Sequence, residues 1–320
     1  MKAIDISEIE GFRLGTAENK EAATGVTVII CEKGAAAGVD VRGGGPATRE
    51  TDLLKPENMV QQINAVVLSG GSAYGLEASC GVMDFLEDKN VGFDVGCGVV
   101  PIVCGASLFD LHVGRADIRP DRDMGIKACE AAFSGIFSLG NHGAGTGATV
   151  GKYRGPERMM KSGQGASAAE AGALKIGAVT ALNALGDVFD GQGRQIAGLL
   201  SEDGNSLAST SDVIKEDVDR QFSVFSGNTT ISCIITNARL TKAQCTKLAS
   251  IAHDGYARAI KPVHSTADGD TIFVMATGEV EVNFDAAAVI ATEQISKAIE
   301  NAALSAEPAY GLKNAKSLIK

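Results

Sequence analysis

The chain is poor in the residues that most often announce a catalytic site. Its 320 residues include no Trp, four Tyr and four His. With aromatics at 5%, the core has to be built from Ala, Val, Ile and Leu, with backbones brought close at many of the 39 glycines. The histidines, at 112, 142, 253 and 264, show no ligand spacing such as HExxH, which argues against a metal site. The seven cysteines (31, 80, 97, 104, 129, 233 and 245) are odd in number and form no CxxC. They read as free buried thiols in a reducing cytoplasm. No run of about 18 apolar residues exists, so no membrane span is expected. The opening MKAIDISEIEGFRLG has no apolar stretch of a secretory signal. Lys and Arg (29) are outnumbered by Asp and Glu (39), and the resulting −10 disfavours nucleic acid or an anionic membrane as partner.

What is present suggests a layered α/β or α+β domain. VTVIIC (26–31), INAVVL (63–68), TISCIITNA (230–238) and DTIFVMATG (270–278) are β-branched apolar runs and predict strands. KIGAVTALNALGDV (175–188) reads as one more, with Asn183 inside it. TKAQCTKLASIAHDGYARAI (241–260) and FDAAAVIATEQISKAIENAAL (284–304) place apolar residues at helical spacing. A further helix is expected after the Gly-Gly-Ser turn, ending near Glu87, with Ser72 as its N-cap. Residues 201–226 are polar and aperiodic and read as an exposed linker.

Several motifs that invite a chemical reading fail on inspection. In GAGTGATVGK (143–152) a P-loop would need Gly where Thr146 stands and a hydroxyl residue where Tyr153 follows Lys152. GAGTGA passes only a relaxed dinucleotide pattern and lacks the acidic residue after a second strand. No cofactor is expected. SGGSAYG has Gly70 but carries Tyr74 where a nucleophile elbow needs its second Gly. Asp268 and Asp270 flank Gly269. They are either turn residues entering the next strand or a carboxylate pair able to hold an amine or orient a proton relay.

The stretch Asn228-Thr229-Thr230 joins the polar segment to an apolar strand. A Thr hydroxyl is a weak nucleophile without a base, and no Ser/His/Asp set is evident. A Thr whose own α-amine is freed by chain cleavage carries a base of reference pKa about 8. The tripeptide is equally compatible with the mere start of a strand.

Six segments, in order and across nearly the whole chain, change that balance: GVDVRGGGPATRETDLL, AVVLSGGSAYGLEASCGVMDFLE, GNHGAGTGATVGK, ALNALGDVFD, GNTTISCIITNA and KPVHSTADGDTIFVMATG. Together they resemble the L-aminopeptidase D-amidase/D-esterase (DmpA) family, which includes β-aminopeptidases and nylon-oligomer hydrolases. The resemblance implies an α+β fold, a four-layer αββα sandwich of the N-terminal-nucleophile type. It implies one domain over 1–320, self-cleaved between Asn228 and Thr229 into 1–228 and 229–320. Thr229 would be the nucleophile, with Thr230 the adjoining alternative. Asn183 would stabilise the oxyanion, and Lys152 would lie near the nucleophile. Asp268 and Asp270 would form an acidic pair like that of the nylon-oligomer subgroup, where the aminopeptidase members carry Ser and Glu. The implied activity is hydrolysis of small peptides, amino-acid amides or amide oligomers by a homo-oligomer, a tetramer of cut heterodimers. An uncut small-molecule binding relative is the rival from another class. Acyl transfer of the ornithine acetyltransferase kind is a further rival, whose flanking pattern is not seen here.

Overall fold

The computed structural model describes residues 1–219 and 227–318. Its ten-stranded principal sheet consists of β1 (Lys2–Ile4), β2 (Arg13–Asn19), β3 (Thr24–Val41), β4 (Thr48–Arg49), β5 (Gln62–Ser69), β6 (Val103–Ser107), β7 (Gln164–Ala171), β8 (Leu174–Ala181), β9 (Ile231–Ala238) and β10 (Thr271–Val280). The helices are α1 (Ala78–Asp88), α2 (Arg122–Phe133), α3 (Thr210–Glu216), α4 (Lys242–Ala259) and α5 (Phe284–Ser305).

Strand order is β1-β7-β8-β9-β10-β3-β5-β6-β4, with β2 on the free side of β3. The 18-residue β3 belongs to two layers at once. Its first half pairs with β2 and β5, its second half with β10, and its register against β5 shifts between Ile30 and Ala35. Such a bulge bends a strand, and the sheet folds over on itself there. Each half contains one parallel pair, β5 with β6 and β9 with β10. A parallel pair requires a crossover, and α1 and α4 provide them.

Side-chain alternation then sorts the layers. Along β9, Ile231, Cys233 and Ile235 face an inner core shared with Ile29, Val66 and Leu68 of the other half. Ile234 faces outward into a core formed with α4 and α5. On the opposite outer face Val28, Ile30 and Val67 pack under α1 and α2. The period of two along each strand therefore builds three cores and four layers, αββα. The low aromatic content is compatible with this because helices sit directly on strand glycines. A Cβ at Gly165 would lie 2.2 Å from the Ala298 carbonyl, and one at Gly38 2.2 Å from the Thr246 amide.

Four expectations need correction. The strand predicted over 175–188 ends at Ala181, and Asn183 stands in the turn that follows. Ser72 is not an N-cap: the 3-10 turn Ser72–Glu77 precedes α1, its cap position is Gly71, and Ser72 itself adopts φ 55°. The segment read as a linker contains α3, capped by the Ser209 side chain, and its Leu207 bridges to Leu200 just before it; residues 220–226 lie outside the described residues. Of the thiols expected to be buried, Cys97 is exposed and Cys80 half-exposed.

Lys161 is wholly buried and donates to the carbonyls of Gly145, Ala148 and Ser162. Burial pushes its pKa down to about 7. An unfolded Lys titrates at about 10.4, so between these values the unfolded chain binds more protons and stability rises with pH. Lys161→Met removes this contribution. Urea unfolding at pH 7 and 9.5 is expected to show a smaller gain for the variant than for the wild type. An unchanged gain would show that the ammonium is not desolvated as described.

Candidate active site

Three central strands bring their ends together at one edge of the sandwich. β9 starts after Thr230, β10 starts after Asp270, and the antiparallel β8 finishes just before Asn183. Because β9 and β10 are parallel, their N-terminal ends are neighbours. The sequence-distant Thr229, Thr230, Asp268, Asp270 and Asn183 thereby become neighbours in space.

The two threonines differ sharply. Thr230 is fully buried and fully employed. Its N–H donates to Asp270 Oδ1 (2.8 Å), its carbonyl accepts from Thr271 N–H (3.1 Å) and from the Tyr256 hydroxyl (3.2 Å), and its Oγ1 accepts from Asn183 N–H (3.4 Å). Thr229 instead lines a cavity of about 200 Å³ with Ser72, Ser107, Phe109, Asn228 and Thr266. Its φ is 124°, a conformation that a β-branched residue adopts only under strain. The peptide bond joining Asn228 to Thr229 thus sits at a strained residue beside a cavity. A larger groove of about 370 Å³, between Phe189 and Lys297, shares no residue with this one.

Lys152 and Asn183 form one unit. The Lys152 ammonium donates to the Asn183 Oδ1 (2.6 Å) and carbonyl (3.1 Å). Oδ1 also accepts from Thr149 N–H (3.0 Å), and Asn183 Nδ2 donates to the Phe109 carbonyl (2.9 Å). One amide N–H of Asn183 is therefore held by Phe109, which fixes the plane of the group. Burial pushes the Lys152 pKa down to about 7, against the pull of the Asp268, Asp110 and Asp270 carboxylates. Burial, and then the neighbouring Asp270, pushes Asp268 up. Both shifts favour neutral partners and follow from removing charges from water; in so close a group the protons belong to the set rather than to one residue.

The acidic pair occupies the loop before β10, as the turn reading expected. Its carboxylates nevertheless point into the site. Asp270 reaches Thr230, and Asp268 Oδ1 accepts from Leu185 N–H (3.4 Å), two residues beyond Asn183. The loop is braced by Gly43 to Gly45. Gly45 N–H donates to the Asp268 carbonyl (2.8 Å), and a Cβ at Gly43 would fall 2.3 Å from that same oxygen. Asp110, buried and held by Thr24 Oγ1 and Gly71 N–H, is a further carboxylate near enough to act on the lysine. Phe109, Asp110, His264 and Ser265 were not singled out from sequence. Their parts are played by a carbonyl, a buried carboxyl and loop donors, which leave no motif. Tyr74 is 62% exposed beneath Arg119 and is not among the cavity residues, while Arg49 donates to Cys80 and Met83.

The four-layer αββα sandwich is the fold of N-terminal-nucleophile-type hydrolases. The profile of peptidase family S58 matches residues 5–316, and the chain belongs to that family. It is 41% identical over 272 residues to an uncharacterized aminopeptidase of Mycobacterium leprae, covering 81% of this chain and 72% of that one. It is 32% identical over 281 residues to a 6-aminohexanoate-oligomer endohydrolase of Paenarthrobacter ureafaciens, covering 86% and 75%. Among solved structures, the L-aminopeptidase D-Ala-esterase/amidase of Ochrobactrum anthropi superposes with a TM-score of 0.69 at 20% identity, over 94% of this chain and 86% of that one. A Burkholderia β-aminopeptidase gives 0.67 at 22%, over 97% and 89%. These likenesses bear out the αββα fold and the DmpA-family resemblance, and the protein is a hydrolase. No described helix is long and apolar enough to cross a membrane.

Proposed function

We propose that the protein is a self-processing amide hydrolase, an aminopeptidase or amidase whose nucleophile is Thr229. The observation that carries this reading is the contrast between the two residues: Thr230 is buried and locked through its backbone hydrogen bonds, whereas Thr229 is strained and lines the cavity. In the precursor, Thr229 Oγ1 attacks the Asn228 carbonyl carbon, and the acyl group passes from nitrogen to oxygen. That shift breaks the C–N bond and frees the Thr229 α-amine; water then hydrolyses the ester, releasing the Asn228 carboxylate and regenerating the Thr229 hydroxyl. That amine takes the hydroxyl proton when a substrate amide is attacked, and passes it to the leaving amine. Lys152 and Asn183 stand as one amine-and-amide unit whose N–H groups suit the oxyanion, and Asp268 and Asp270 orient the two strand ends. No step requires a metal or cofactor.

Substrates are small peptides, amino-acid amides or short amide oligomers. One observation favours oligomers over peptides with a free amine: no charged side chain is found among the described residues that line the cavity, so a neutral amide segment is not penalised there. The seven free thiols support a cytoplasmic setting. The assembly we propose is a tetramer of cut heterodimers. Intact mass of denatured protein, fresh and aged, tests the core of the proposal. Fragments 1–228 and 229–320 are expected. A boundary one residue later would move the nucleophile to Thr230, and a mass that stays whole would favour an uncut binding protein.

A further inference from the structure

Two consecutive loop residues grip the acidic pair in the same manner, one carboxylate each. His264 N–H (3.2 Å) and His264 Nδ1 (2.8 Å) both reach Asp270 Oδ2. Ser265 N–H (3.0 Å) and Ser265 Oγ both donate to Asp268 Oδ2. Each carboxylate is thus held at one oxygen by a backbone and a side-chain group of a single residue. Each is left with its other oxygen for the site. Asp270 Oδ1 takes Thr230 N–H, next to the nucleophile, and Asp268 Oδ1 takes Leu185 N–H, next to the Asn183 unit.

The grip has a backbone cause. His264 adopts φ 57°, the left-handed region in which His is enriched among non-glycine residues. There its own N–H and its ring nitrogen converge on one acceptor. The ring is backed by an edge contact with His253 (4.8 Å between centroids) and stacks over Tyr256 (5.9 Å). Tyr256 in turn donates to the Thr230 carbonyl. The titratable and charged groups facing this ring are therefore Asp270, His253 and Tyr256, with Asp40 and Arg42 behind His253.

We infer that His264 and Ser265 are positioning residues for self-cleavage and turnover, acting as a two-residue clamp that aims Asp270 at Thr230 and Asp268 at the Asn183 turn. The inference rests on the reading of Thr229 as nucleophile. Ser265 donates to the ionised form of Asp268, so its loss raises the pH at which that carboxylate takes up a proton.

Self-cleavage is itself the readout and needs no known substrate. Full-length wild type, His264→Leu, His264→Asn, Ser265→Ala and Thr229→Ala are synthesised in a cell-free system, and the cut fraction is followed by intact mass from pH 5 to 9. Leu removes the ring donor, whereas Asn keeps one close to the Nδ1 position. His264→Leu is expected to cut about tenfold more slowly or worse, and His264→Asn to recover most of the rate. Ser265→Ala is expected to move the acid limb of the rate profile to higher pH, a shift that loss of packing alone does not produce. Wild-type rates and profiles in the Ser265 and His264 variants, with Thr229→Ala uncut, would overturn the clamp and leave the nucleophile standing. Cutting in Thr229→Ala, or a wild type that never cuts, would overturn the nucleophile and the clamp with it. If His264→Leu does not fold, as judged by a lost thermal transition, His264→Asn and Ser265→Ala decide the matter.

Discussion

Thr229→Ala is expected to remain a single polypeptide of 320 residues and to lose amide hydrolysis by about 10⁴-fold or more, because it removes the atom proposed to attack. The fold should survive. Thr229 precedes β9 and its side chain forms none of the strand's ladder bonds, and the smaller residue adds no clash. The matched control is Thr230→Ala. That hydroxyl only accepts a long bond from Asn183 N–H, while the contacts that hold the residue are made by its backbone. The Thr230 variant should therefore still cut before residue 229. Mass spectrometry of both variants separates the roles of the two adjoining hydroxyls, a distinction that their order in the chain could not provide.

Gly269→Ala is expected to slow cutting by about 10²-fold through geometry alone. A Cβ at Gly269 would stand 2.7 Å from Thr229 Oγ1, 2.8 Å from the Gly45 carbonyl and 2.9 Å from Pro46 Cα. The two backbone contacts cannot retreat without breaking the brace between Gly45 N–H and the Asp268 carbonyl. The threonine hydroxyl is the member free to move, so the added methyl displaces it from the position observed. The Gly269 backbone does not lie in the left-handed region, so no conformational penalty confuses the result. Overpacking of this kind costs about 1–3 kcal/mol of stability, which a melting curve would register separately. Wild-type cutting by this variant would mean that the reactive hydroxyl position is not the one observed.

Much of the scaffold was legible in sequence, because strands buried on alternate faces and long amphipathic helices write their periods plainly. The runs at 26–31, 63–68 and 230–238 all mark real strands, and α4 and α5 fall within a residue or two of expectation. The misreadings share a physical cause. ALNAL continues the apolar run of β8 because the turn after it is buried against the outer core, so its apolar composition reflects burial rather than extension. Conversely α3 is short and half exposed, so its polar composition concealed it, although Ser209 with Asp212 three residues on is a capping signal. The candidate site was legible only in part. Thr229, Asn183, Lys152, Asp268 and Asp270 came from family resemblance, and the structure brings them together. The acidic pair shows why local reading was insufficient: Asp-Gly-Asp is indeed a turn, and the same turn aims both carboxylates. The Phe109 carbonyl and the paired donors of His264 and Ser265 depend on chain segments meeting in three dimensions, which no window of sequence displays.

The position of residues 229–320 within the principal sheet has a consequence if the chain is cut as proposed. β9 lies against β8 and β10 lies against β3, so the shorter fragment supplies two inner strands enclosed on both sides by strands of the longer one. Neither fragment retains a closed sheet alone. Hydrolysis of one bond would therefore create two molecules by covalent count while leaving a single cooperative unit, and parting the fragments would be the same event as unfolding them. Recovery after denaturation would then become an encounter of two species, with a yield that depends on protein concentration. Heat or denaturant would in this sense be far less reversible for the mature enzyme than for its uncut precursor.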